Sequence, residues 1–151
     1  KRDGLTAAKQ DEIYYFAYGH NTDTETFNQY CPDAKFIGVG VLKDFCLTFE
    51  EYANIRMSEG DKVVGVVWEI ADKDMKGLDG YEALHKDYNR VPVEVQVKGK
   101  SEMCVTYIMD PQFEGKELHK KPAKDYVAKM VTGYHEHGLP IDQIKKGLQR
   151  S

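Results

Sequence analysis

Apolar and polar positions alternate along this chain on two different periods, and the change from one to the other orders the elements. Ile13 to Tyr18 is an unbroken apolar run rich in aromatics, and it predicts a buried first strand. After Asn21 the polar stretch TDTETFNQYCPDA predicts a short helix. Thr22 or Asp23 can cap it, Glu25 can close a capping box and Pro32 stops it. AKFIGVGVLKDFCLTFEEY places β-branched and aromatic residues on alternate positions, which predicts a strand broken or bent near Gly38 and Gly40. ANIRMSEGDKVVGVVWEI reads as a Glu59-Gly60-Asp61 turn followed by a strongly apolar strand, Val63 to Ile70.

Asp72 can cap a short helix through Met75 and Leu78 that ends near Gly80. YEALHKDYNR follows as a polar, irregular stretch. VPVEVQVKG alternates as a strand with one wet face, and SEMCVTYIM is its hairpin partner across Gly99. From Pro122 the period becomes helical: Tyr126, Val127, Met130, Val131 and Tyr134 share a face, with Gly138 near the end. Ile141, Ile144 and Leu148 mark a last amphipathic segment. Strands come first and a helical pair last, so the expected class is α+β with a mostly antiparallel sheet. Periodicity alone leaves open whether the sheet closes into a small barrel.

Composition narrows the partners. At 151 residues the chain is one domain with enough length for a real core. The expected division is a flexible N-terminal segment over 1–12 and a single domain over 13–151. The opening KRDGLTAAKQDE has no apolar core and no initiator Met, so it reads as a trimmed end rather than a signal peptide. A net charge of −4 without a basic stripe argues against nucleic acid. Val63 to Trp68, the longest strongly apolar run, is too short to span a bilayer. Cys31, Cys46 and Cys104 form no CxxC pair, which argues against a disulfide framework or zinc knuckle. Cys46 and Cys104 read as small buried hydrophobes, and the pattern is compatible with a cytoplasmic protein. His135 and His137 stand two apart at a helix end, on different faces, and His85 and His119 read as solvated loop residues. No metal site is expected from them.

Two places combine turn geometry with useful polar groups. In Tyr18-Gly19-His20-Asn21, Gly19 lets the backbone turn, and successive N–H groups ahead of a short helix attract an anion. The plainer reading of the same residues is a strand-to-helix turn in which Asn21 caps the helix. In LDGYEALHKDYNRVPVEV, Glu82 sits between Tyr81 and Ala83 with Tyr88 nearby. A carboxyl in a half-apolar setting can serve as a proton shuttle. The plainer reading is a solvated loop glutamate, with Asp79 capping or bonding the loop; Arg90 reads either as a scaffold partner for a carboxylate or as a substrate-binding residue.

Taken in order, these segments resemble the γ-glutamylcyclotransferase-like family. The motif carriers are Tyr15-Phe16-Ala17-Tyr18-Gly19-His20-Asn21, Ala53-Asn54-Ile55, Val63 to Trp68, Leu78-Asp79-Gly80-Tyr81-Glu82, Tyr88-x-Arg90 and Tyr126, covering about residues 13 to 140. The resemblance implies a small mixed β-barrel with flanking helices. It implies release of 5-oxoproline from γ-glutamyl amino acids or amines, without metal or cofactor, by a monomer or homodimer. It places Glu82 as general acid/base and Tyr18, Gly19, His20, Asn21, Tyr88 and Tyr126 as substrate-binding residues. His20 departs from the family's usual Ser. An imidazole is larger and can change charge near neutral pH, so a non-catalytic binding member of the same fold is the alternative.

Overall fold

The computed structural model describes residues 12–86, 88–109 and 121–150. The segment expected to be flexible lies outside the described residues apart from Glu12, which opens the first strand. Five strands form a closed barrel: β1 (Glu12–Ala17), β2 (Lys35–Glu50), β3 (Tyr52–Ala71), β4 (Tyr88–Val97) and β5 (Lys100–Met109), in the order β1-β3-β2-β4-β5. Every neighbouring pair is antiparallel except β1 and β5, which close the barrel in parallel at Tyr15 and Val105. The α+β class and mostly antiparallel barrel expected from the family resemblance are what the chain adopts. Helices α1 (Thr24–Asn28), α2 (Asp72–Lys86), α3 (Lys124–His137) and α4 (Ile141–Arg150) flank it.

β1 is apolar from Ile13 onward because it is covered on both faces: Tyr14 to Ala17 are all buried, and Phe16 is fully enclosed. β4 follows period two, with Val93, Val95 and Val97 buried between exposed polar positions. Lys98 and Gly99, at φ of 52° and 75°, make the tight hairpin into β5. α3 ends where Gly138 adopts the left-handed conformation and its N–H caps the final turn. Cys31, Cys46 and Cys104 are all buried free thiols.

Three local expectations change. Asp23 alone caps α1, accepting from the Thr26 N–H, while Thr22 donates its hydroxyl to the Gly19 carbonyl in a separate 3-10 turn, His20–Thr22. Exposed Glu25 falls one position short of a capping box on Asp23. Glu59-Gly60-Asp61 is not a turn between strands but an excursion inside β3. Pairing resumes on both sides of it, Phe45 with Met57 and Lys43 with Lys62, and Asp44 accepts from the Gly60 N–H. β2 bends by a similar register shift between Phe36 and Gly38, close to the expected break, but runs on unbroken through Gly40.

The third change moves a site residue. α2 does not end near Gly80 but continues to Lys86, so Glu82 is helical rather than in a loop, and the backbone of His85 is helical too. The side chain of His85 and all of His119 lie outside the described residues. Met75, Leu78 and Glu82 fall at i, i+3 and i+7 and are buried, forming the face that packs on the barrel. Gly77 and Gly80 lie on the exposed side, where the packed face outweighs their weak helix preference.

Candidate active site

The loop after β1 is fixed from several directions. The Tyr134 hydroxyl donates to the Tyr18 carbonyl at 2.7 Å, and the Trp68 indole N–H to the Asn21 carbonyl at 3.0 Å. Within the loop, the Gly19 carbonyl accepts from both the hydroxyl and the N–H of Thr22. These bonds come from α3, β3 and the turn itself, so the tip of β1 is held as a rigid ledge.

That ledge forms one side of a cavity. Tyr15, Tyr18, Gly19, His20 and Asn21 line it from β1 and the loop, Ala53 from β3, and Glu82 from α2. Tyr88 of β4, Tyr107 of β5 and Tyr126 of α3 complete the lining among the described residues. All seven residues expected at the site therefore meet in one cavity, although Glu82 lies sixty-odd positions from the loop. Glu82 is 3% exposed, which rules out the solvated-loop reading. Asn21 does not cap the helix: its amide N–H donates to the Tyr15 hydroxyl at 3.1 Å, and Asp23 caps instead. Its side-chain oxygen is buried and has no hydrogen-bond partner among the described residues. Tyr15, Ala53 and Tyr107 are the lining residues that sequence reasoning missed.

The phenols are committed to the scaffold. Tyr18 donates to the Tyr107 carbonyl at 2.5 Å, Tyr88 to the Ala53 carbonyl, and Tyr107 to Asp79 Oδ1 at 2.6 Å. Tyr126 accepts from the Ala53 N–H at 3.0 Å. Burial pushes the hydroxyls of Tyr15, Tyr18, Tyr88, Tyr107 and Tyr126 above their usual range, and the Glu82 carboxylate pushes each further. They are neutral at any working pH. At the mouth the half-buried His20 and Tyr126 rings pack 5.1 Å apart, and Tyr52 meets Tyr126 edge-on at 5.4 Å. Free space for a water-sized sphere inside is about 20 Å³, on the scale of one water molecule.

A wider opening of about 410 Å³ lies where β2 and β4 part, beyond their pairing at Gly40–Val97 and Val41–Gln96. Its charged lining residues are Lys43, Asp44 and Glu94, and none of the expected site residues reaches it. Among the described residues no cluster of His, Cys, Asp and Glu could hold a metal ion, and no helix is long and apolar enough to cross a membrane.

Known proteins resemble this chain over most of its length. A family model described as "Gamma-glutamyl cyclotransferase, AIG2-like" matches residues 15–128. "Gamma-glutamylcyclotransferase" of Homo sapiens is 32% identical over 94% of this chain and 80% of its own length. The Bos taurus protein of the same name is 33% identical over 95% and 81%. A solved structure titled "Gamma-glutamyl cyclotransferase" superposes with a TM-score of 0.74 at 30% identity, covering 89% of this chain and 85% of that one.

Proposed function

The chain belongs to the γ-glutamyl cyclotransferase, AIG2-like family, and from that premise we propose how its own residues release 5-oxoproline from a γ-glutamyl amino acid or amine. It is an enzyme of the γ-glutamylcyclotransferase type, as its named relatives are. That favours catalysis over a binding-only role for the cavity. The observation that carries the mechanism is the burial of Glu82 in the cavity that the post-β1 loop also lines.

A γ-glutamyl amide contains its own nucleophile. Its α-amine can reach the γ-carbonyl carbon to close a five-membered ring, so folding the substrate supplies the advantage of intramolecular attack. The enzyme then needs no Ser or Cys nucleophile, and on this reading no cofactor. The amine is cationic at neutral pH and must lose a proton before it attacks. Glu82 takes that proton and the amine adds to the γ-carbonyl. As the C–N bond to the leaving amine breaks, Glu82 returns the proton to the departing nitrogen, and the ring nitrogen sheds its second proton, which the freed amine takes up as an ammonium. General acid/base catalysis of this kind contributes about a hundred- to ten-thousand-fold.

Asn21 fits the same substrate. A buried oxygen without a partner is costly, and the side-chain oxygen of Asn21 is one. An α-ammonium group supplies the missing N–H donor. Backbone N–H groups of residues 18 to 21 are suited to the α-carboxylate or the developing oxyanion, where fixed donors act without reorganising. Tyr18, Tyr88 and Tyr126 wall the glutamyl portion. His20, at the mouth against Tyr126, bears on the leaving group.

The test is 5-oxoproline release from a panel of γ-glutamyl amino acids and amines by wild type and Glu82→Gln. The expected result is at least a hundred-fold loss of turnover in the variant, since the titrating group is gone, with 5-oxoproline binding retained by calorimetry. Wild-type turnover in Glu82→Gln would remove Glu82 from the chemistry.

A further inference from the structure

We propose that Asp79 is a positioning residue, which sets Glu82 against the post-β1 loop by tying α2 to one rung of the barrel. The proposal rests on the reading of Glu82 as general acid/base. Asp79 lies three positions before Glu82, on the adjacent turn of α2. Its Oδ1 accepts from the Tyr107 hydroxyl at 2.6 Å, and its Oδ2 pairs with Arg90 Nη2 at 3.2 Å. Arg90 and Tyr107 are register partners across β4 and β5. Both oxygens of one carboxylate are therefore held by a single rung. A two-point anchor fixes the roll of the helix, whereas the buried Met75 and Leu78 mainly fix its depth.

The same rung reaches the opposite wall of the site. The Tyr107 carbonyl accepts from the Tyr18 hydroxyl at 2.5 Å. Tyr107 thus holds the helix bearing Glu82 with its side chain and the loop bearing Gly19 to Asn21 with its backbone. The two halves of the site, far apart in sequence, are indexed to one residue pair. The Asp79 and Arg90 side chains are each 32% exposed, so their attraction is screened and adds little to global stability. Geometry is more sensitive: a misplacement of about 1 Å can cost on the order of a hundred-fold in rate. Burial first, and then the bond to Asp79, push the Tyr107 hydroxyl up, so it remains a donor at working pH.

Asp79→Ala, Asp79→Asn, Arg90→Lys and Arg90→Ala are compared with wild type and Glu82→Gln by 5-oxoproline kinetics and thermal unfolding. Asp79→Ala is expected to lower kcat roughly 10- to 100-fold, with KM changed less than about three-fold and Tm lowered by only about 2–4 °C. The acidic limb of its kcat–pH profile moves, which a merely structural role would not produce. Asp79→Asn keeps an acceptor for Tyr107 and falls between. Arg90→Lys recovers part of what Arg90→Ala loses, because charge remains while the fork geometry goes. An Asp79→Ala kcat within about two-fold of wild type, or a loss confined to KM, overturns the proposal. Should that variant fail to fold, wild-type kcat in both Asp79→Asn and Arg90→Ala overturns it. If Glu82→Gln is inactive while Asp79→Ala is fully active, only the positioning role falls. If Glu82→Gln is active, the general acid/base reading falls and this inference with it.

Discussion

Gly133→Ala is the substitution in which local and tertiary physics disagree most sharply. Gly133 is buried in the middle of α3, where Ala is favoured over Gly by about 1 kcal/mol on helix propensity. Propensity alone therefore predicts a stabilised protein. The packing predicts the reverse. A Cβ on Gly133 would lie 2.3 Å from Thr22 Oγ1, 2.5 Å from the Asp23 nitrogen and 2.6 Å from the Thr22 carbonyl carbon. Thr22 can rotate its hydroxyl away, but the two backbone atoms cannot yield without moving the 3-10 turn. Overpacking of this kind costs about 1–3 kcal/mol, and the backbone contacts place it near the upper end. Offset by the helix gain, the net loss is about 2 kcal/mol, or roughly 4–8 °C in Tm for a chain of this size. The turn that moves carries His20 and Asn21, so 5-oxoproline release falls at least ten-fold as well. Gly77→Ala is the control: exposed, helical and with no neighbour within 4 Å of its Cβ, it raises Tm slightly. Calorimetry and the release assay on both variants decide the matter. A Gly133→Ala protein as stable and active as wild type would refute the close approach of α3 to the loop.

Stability is expected to fall in alkali. The buried hydroxyls of Tyr15, Tyr18, Tyr88, Tyr126 and Tyr134 are all raised above the ordinary value of about 10. Below that value both states keep these protons, and above it only the unfolded chain releases them. Each phenol then removes up to about 1.4 kcal/mol per pH unit until the folded form titrates. The thiols of Cys31 and Cys104, pushed by burial to about 11 and about 12 from 9.0, start the decline near pH 9. Tm measured from pH 8 to 11 drops accordingly, and a flat curve contradicts the burial of these groups. Tyr126→Phe removes the acceptor of the Ala53 N–H and costs about 1–3 kcal/mol by stranding a donor. A thermal unfolding curve matching wild type would count against that bond.

Elements whose boundaries are set locally were legible in the sequence. β1, the Gly99 hairpin and α3 with its Gly138 cap follow from apolar runs and turn residues. Gly80 reads as a stop for α2. What keeps it helical is the barrel surface under Met75, Leu78 and Glu82, which no window of sequence contains. Gly60 does adopt a positive φ of +87°, as a turn glycine would, but the pairing resumed beyond it is a long-range fact. The site divides the same way. Tyr18 to Asn21 form one contiguous turn and could be singled out together. Tyr107 sits in an ordinary alternating strand, and only the closure of the barrel decides that it faces Glu82.

The choice of tyrosine as lining explains how one carboxyl can act alone. Five phenols line the cavity among the described residues. A lysine among them would pair with Glu82 and hold it charged, weakening it as a proton acceptor. Phenylalanine would remove the bonds from Tyr18 to Tyr107 and from Tyr88 to Ala53. Tyrosine does neither, since it stays neutral and spends its hydroxyl elsewhere: Tyr18, Tyr88 and Tyr107 donate to a carbonyl, a carbonyl and Asp79. Three of the five thus stiffen the wall and do not give their protons to Glu82. Among the described lining residues Glu82 is the only carboxylate, and the side-chain oxygen of Asn21 is an unpartnered acceptor in the same cavity. A negative group and a bare acceptor together select a cationic donor, and the α-ammonium of a γ-glutamyl substrate is such a group, carrying the proton that must leave before the ring can close.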